Sequence, residues 1–315
     1  MFTRIASADV AVLYLVLGLL GVLPLVLLTP PFQVPDEQQH FYRAYQLSEL
    51  GLRGVVQGGS AGAILPSSLP ELADRFLGTR AIHADRAVRP SPLSDTLGVL
   101  TRPLDPARRE FVDFTGAAFY SPLPYLPQVA AIVVGRALGL GPLGLLYAVR
   151  LVNGLAALLV VTAALRVLPV GNMALLVLGL LPMVLFEFAS ASPDAAVIST
   201  ALLFTAIATQ ARFRGRWGRA DVLVACIAGA VFCSVKPVYA PLLVMGLPGM
   251  FRRGAAGHVI AVHFVLVAAV LGATVFWLAY SASTVVLPLE GTSLSRQFAG
   301  IMSHPGAFAG TVLNT

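Results

Sequence analysis

Apolar positions in this chain fall into long, nearly uninterrupted runs and show neither strand alternation nor the one-sided stripe of a surface helix. The runs cover residues 10–29, 125–138, 145–165, 172–189, 195–211, 222–235, 238–250 and 259–280. About 20 consecutive apolar residues make a helix long enough to cross the hydrocarbon core of a bilayer. The run at 125–138 is shorter, begins among Pro122, Pro124 and Pro127, and ends at Gly135-Arg136. A segment of that length predicts a re-entrant or interfacial helix, not a span. Seven spans remain.

Polar residues are segregated just as sharply. Residues 30–144 hold ten arginines and ten carboxylates, so 20 of the 36 charges lie in 115 residues. With seven spans, Arg4, Arg166, the group Arg212, Arg214, Arg216 and Arg219, and the pair Arg252 and Arg253 all fall on one side, as the positive-inside rule requires. Counting 125–138 as a span would put the last six arginines outside. The expected organisation is a first transmembrane helix (1–29), a large extracytoplasmic loop with juxtamembrane helices (30–144), a bundle of about six spans (145–280) and an extracytoplasmic tail (281–315). The N-terminus is cytoplasmic, and the fold class is an all-α integral membrane protein.

Composition agrees. The chain is 57% apolar and 11% charged, against roughly 25% charged in soluble domains. The net charge of +6 does not point to nucleic acid: there is one lysine, Lys236, and the arginines outside the loop follow membrane topology. Cys226 and Cys233 are seven apart in one apolar run and cannot bridge within it. The first run is long enough to span, and no small-residue cleavage site follows it. No H-E-x-x-H, G-x-S-x-G, phosphate-loop or dinucleotide motif occurs.

Four polar groups break the apolar pattern. Asp36, Glu37 and His40 follow the prolines that end the first span. Asp36 and His40 are spaced to share a helical face, and a carboxylate–imidazole pair relays a proton or binds a divalent metal. Equally, two acids there cap a helix N-terminus. Glu187 lies between Phe186 and Phe188, and Asp194 follows Pro193. An ionisable group at membrane depth is a functional candidate; the alternatives are a carboxyl reaching the interface and an N-cap. Lys236 stands between two apolar runs and precedes Pro237; it either snorkels or holds a phosphate as a point charge. Tyr120 and Tyr125 flank the proline-rich entry to the short apolar run, which reads as an interfacial helix or a lid on the bundle. On the seven-span topology all these groups lie near the outer surface. Intramembrane charges with proline breaks also suit a transporter or flippase of a lipid-linked precursor, and acids that only cap helices suit a non-catalytic membrane assembly protein.

The motifs Pro35-Asp36-Glu37-Gln38-Gln39-His40-Phe41, Tyr120-Ser121-Pro122-Leu123-Pro124-Tyr125, Arg150-Leu151-Val152-Asn153, Ser192-Pro193-Asp194 and Lys236-Pro237-Val238-Tyr239 together resemble a bacterial family of membrane proteins, domain of unknown function 2142. The resemblance places it with the GT-C superfamily of membrane glycosyltransferases. It implies a GT-C-like bundle in the bacterial inner membrane, acting at the extracytoplasmic face in cell-envelope glycan synthesis. The donor would be a polyprenyl-phosphate-linked sugar, and the acceptor a hydroxyl of a glycan or glycolipid. It implies an acidic motif at Asp36 and Glu37, with Asp36 as general base and Glu37 or His40 orienting it or holding a metal. Lys236, with Arg43, would meet the lipid phosphate, and Asp194 would bind acceptor or metal. Tyr120, Tyr125, Glu187 and Tyr239 complete the expected substrate-binding set. Chains of that superfamily usually continue well past seven spans, so a partial chain is expected.

Overall fold

A computed structural model describes residues 7–77, 98–246, 257–286 and 294–313. Arg4, Arg252 and Arg253 lie outside the described residues. Helix α1 covers Ser7–Leu28, and α2 covers Glu37–Ser48. After a small sheet and α3 (Ser68–Leu77) comes a three-ten turn, Leu123–Tyr125, that runs into α4 (Leu126–Ala137). Then follow α5 (Pro142–Val167), α6 (Asn172–Gly179), α7 (Pro182–Phe188), α8 (Asp194–Arg214) and α9 (Arg219–Val235). A three-ten segment, Pro237–Gly246, precedes α10 (Gly257–Ser281). Short helices α11 (Leu294–Ser303) and α12 (Pro305–Leu313) close the described chain.

Among the described residues, four helices are long and apolar enough to cross a membrane: α1, α5, α8 and α10. At 1.5 Å per residue they are roughly 30–40 Å long, and each leaves apolar side chains exposed, such as Leu20, Leu27, Val265 and Phe276, as lipid-facing helices do. The other predicted spans take different forms. The run at 172–189 is α6 and α7, broken where Leu181 is extended (φ −56°, ψ 136°) ahead of Pro182; proline removes an amide hydrogen and pushes its predecessor out of the helical region. The run at 222–235 is α9, 17 residues long. The run at 238–250 is a three-ten segment over its described part, flanked and interrupted by Pro237 and Pro241. The short run at 125–138 is α4, 12 residues, in keeping with a helix too short to span.

α5 is the central element, packed against α1, α4 and α8, while α9 bridges α8 and α10. Glycines set the closest approaches. A Cβ on Gly154 of α5 would lie 2.8 Å from Val22 Cγ1 and 2.9 Å from the carbonyl oxygen of Phe188. Three apolar clusters result: α1 with α5–α7, α8–α10 with the three-ten segment, and a third centred on α2 and the loop.

The loop corrects the all-α expectation. It contains a three-stranded antiparallel sheet in the order β1 (Val55–Gln57), β2 (Ser60–Pro66), β3 (Arg109–Asp113). Gly62 of β2 pairs with both Val55 and Asp113, and a Cβ there would lie 1.9 Å from the Val112 carbonyl oxygen. The loop is fastened to the bundle by Trp277 of α10, whose indole donates to the Phe119 carbonyl at 2.9 Å, and by a hydrogen bond from Arg53 to Ser283.

Candidate functional site

The prolines after α1 end that helix and turn the chain so that α2 starts beside α5. At this junction Glu37 and Arg150 form an ion pair with no exposed side-chain surface. Arg150 Nε and Nη2 donate to Glu37 Oε1 and Oε2 at 2.7 and 2.6 Å. The guanidinium also donates to the carbonyls of Thr29 and Pro30, at 2.7 and 3.0 Å. Glu37 in turn accepts the backbone amides of Phe32 and Ala191, both at 3.0 Å. A bidentate guanidinium–carboxylate pair with its remaining hydrogen-bonding capacity used in this way is the arrangement that tolerates burial. It joins the exit of α1, the start of α2, the middle of α5 and the turn between α7 and α8. Asn153, one helical turn below, adds bonds to the carbonyls of Ser190 and Ser192, both 2.9 Å.

Asp36, the neighbour of Glu37, has a different environment. It takes the position before the first helical residue with φ 57° and makes no capping hydrogen bond, so its carboxylate does not serve as the expected cap. A left-handed non-glycine residue is uncommon, although aspartate tolerates it better than most. The Asp36 carboxylate is exposed and unpaired among the described residues.

His40 lies one turn into α2 and is 8% exposed. Its Nδ1 is 2.7 Å from the Tyr125 hydroxyl. Tyr125 is fully buried, and burial raises its phenol well above the ordinary value, so it keeps its proton. If the hydroxyl donates to Nδ1 the imidazole hydrogen sits on Nε2, and in the other tautomer Nδ1–H donates to the hydroxyl. Burial lowers His40 to about 4, against the opposing charges of Asp194 and Asp36 and with the help of Lys236. The ring is a neutral imidazole at ordinary pH. Tyr120 stacks on it with centroids 5.5 Å apart, and its own phenol is raised by burial and by Asp194 and Asp36 against the pull of Lys236.

The third group comes from α8 and the end of α9. Lys236 Nζ lies 2.7 and 2.9 Å from the two oxygens of Asp194, and the two side chains keep 34% and 29% of their surface. Asp194 is the first residue of α8, and its carboxylate pairs with the lysine and does not cap. Glu187, half-buried at the end of α7, is in range of Ser192, Asp194 and Lys236. Tyr239 opens the three-ten segment and donates its amide to the Lys236 carbonyl at 3.0 Å.

His40 is thus within electrostatic reach of Asp36, Asp194 and Lys236, Tyr120 and Tyr125 contact its ring, and Glu187 and Tyr239 lie in range of the Asp194–Lys236 pair. Arg43 is positioned differently. It is fully buried and donates to the carbonyls of Tyr120 and Leu52 at 2.8 and 2.9 Å, so it holds Tyr120 beneath the site. Burial lowers it to about 10, and it stays charged. Among the described residues no group of three or more His, Cys, Asp or Glu side chains converges to hold a metal ion. Arg150 and Asn153 are the site-forming residues that sequence reasoning left without a role. The available signal was a charge and an amide inside a span-length apolar run.

Across residues 19–315 the chain matches the model of a family described as "Predicted membrane protein (DUF2142)". No curated protein and no solved structure matches it.

Proposed function

The chain belongs to the DUF2142 family of predicted membrane proteins, and we propose that it is a glycosyltransferase of the GT-C kind. It takes a sugar from a polyprenyl-phosphate donor and passes it to an acceptor hydroxyl at the extracytoplasmic face of the bacterial inner membrane. The supporting observation is that Asp36, Asp194 and Lys236, brought from three separate chain segments, all bear on the buried His40, with Asp194 and Lys236 paired at 2.7 Å. The reading takes the seven-span topology, with α6–α7, α9 and the three-ten segment completing the membrane domain.

In this mechanism Asp36 is the general base. Its free carboxylate takes the acceptor hydroxyl proton as the oxygen attacks the anomeric carbon. The bond from that carbon to the phosphate oxygen breaks, and the lipid phosphate leaves with the electron pair. Lys236 turns from Asp194 toward the leaving phosphate and stabilises its charge. Asp194 and Glu187, relieved of that partner, accept hydrogen bonds from sugar hydroxyls. Neutral His40 donates through Nε2–H, and Tyr120 and Tyr239 line the approach. Glu37 acts through position: with Arg150 it fixes the backbone that carries Asp36. No step is routed through a metal.

The experiment is transfer assayed with the purified chain in lipid and a panel of polyprenyl-phosphate sugars. Turnover of one of them to a glycan or glycolipid acceptor supports the reading. Movement of intact lipid-linked sugar across the bilayer without transfer supports a flippase instead.

A further inference from the structure

A second polar concavity lies in the loop, away from the Asp194–Lys236 pair. Helix α5 continues past the end of α1: Arg150 bonds to the carbonyls at the exit of α1, and Pro142 lies eight residues further along, about 12 Å on the helix axis. Against Pro142, between α3 and the chain at 99–108, is a cavity of about 220 Å³. Its far wall approaches closely because residue 141 is glycine; a Cβ there would lie 1.9 Å from the Arg102 carbonyl oxygen.

The lining has two characters. Leu72, Val99 and Pro142 supply apolar surface, while Arg75, Arg102 and Arg108 bring three guanidinium groups to the rim. The two carboxylates at the rim are engaged. Glu71 pairs with Arg108 at 3.3 Å, and Asp105 Oδ1 accepts the amides of Ala107 and Arg108 at 3.1 and 3.3 Å. Arg75 and Arg102 make no side-chain hydrogen bond or ion pair among the described residues. Ser67 lines the same cavity and is 2% exposed. Its hydroxyl has no hydrogen-bond partner among the described residues.

Two guanidinium groups without a partner among the described residues select a carboxylate or phosphate, which they bind through paired N–H donors. A serine hydroxyl beside apolar surface suits a sugar ring, which offers hydroxyls at its edge and C–H groups on its face. We propose that this cavity binds one anionic sugar unit, a uronate or a sugar phosphate. As a deepening of the transferase reading, on which this part of the claim rests, that unit belongs to the acceptor. Binding itself requires no donor and no turnover, so the two claims fail separately.

The test is isothermal titration of the full chain in detergent with glucuronate, glucose 1-phosphate, glucose and inorganic phosphate. Saturable binding of either sugar anion, with glucose and inorganic phosphate much weaker, is expected. The double variant Arg75→Ala, Arg102→Ala changes exposed side chains and keeps the melting temperature. It should weaken the sugar anion by roughly tenfold or more per arginine, and Ser67→Ala should weaken it without changing the preference for anions. Absence of binding, equal binding of glucose or of inorganic phosphate, or unchanged affinity in the double variant would overturn the proposal.

Discussion

Lys236 and Asp194, 42 residues apart, form a two-oxygen ion pair (2.7 and 2.9 Å) that retains about a third of its surface. Glu37 and Arg150 form a pair with none. The difference in burial predicts different responses to the loss of one partner. An exposed pair contributes about 0–1 kcal/mol, so Lys236→Ala should leave the melting temperature in detergent nearly unchanged. On the proposed mechanism the same variant loses retention of an isoprenyl phosphate, read by binding in lipid nanodiscs. Unchanged retention would detach Lys236 from the phosphate.

The buried pair behaves in the opposite way. Glu37→Gln leaves the Arg150 guanidinium without a countercharge in a dry site, and removing one partner of such a pair costs about 3–5 kcal/mol. A large fall in melting temperature is expected, well beyond that of Lys236→Ala. Equal small shifts for both variants would contradict the clamp.

A third prediction concerns pH. The folded-state value of His40, about 4, lies below the ordinary 6.5. Between these values the unfolded chain holds a proton that the folded chain does not, so stability rises with pH across that window. The His40 contribution is present above about 6.5 and is lost as pH falls toward 4. On the proposed mechanism imidazole nitrogen NMR at pH 7 should show the Nε2–H tautomer, and Tyr125→Phe should abolish that preference. A charged ring at pH 6 would contradict the assignment.

Packing between helices gives a fourth. Added Cβ atoms meet different neighbours at Gly18 and Gly154. At Gly18 the contact is the flexible Leu158 Cδ2 (2.5 Å), whereas at Gly154 it includes the Phe188 carbonyl oxygen (2.9 Å). Small residues let membrane helices approach closely. Gly154→Ala should therefore lower thermal stability more than Gly18→Ala, because a side chain can yield and a backbone cannot. The reverse order would contradict the α1–α5–α7 packing.

Much of this was readable from the chain. Apolar run length located α1, α5, α8 and α10, and the proline-rich start and short length of 125–138 marked α4 as something other than a span. Asp36, His40, Glu187, Asp194 and Lys236 stood out as charges at run ends. What escaped is non-local. β2 pairs with β3 across more than forty residues, and its Ser-Ala-Gly-Ala start carries almost no strand propensity. Period counting treats 172–189 as continuous, yet one peptide, Leu181-Pro182, divides it. The different roles of adjacent Asp36 and Glu37 depend on Arg150, 113 residues away, and spacing within a motif does not contain that partner.

The most direct test of the central claim is sugar transfer by Asp36→Asn beside the wild-type chain, with a polyprenyl-phosphate sugar that the wild type turns over. The Asp36 carboxylate makes no hydrogen bond or ion pair among the described residues, so the variant should fold and melt as the wild type does. The account predicts that it retains lipid-phosphate binding and loses transfer. Transfer at the wild-type rate by the folded variant would contradict it.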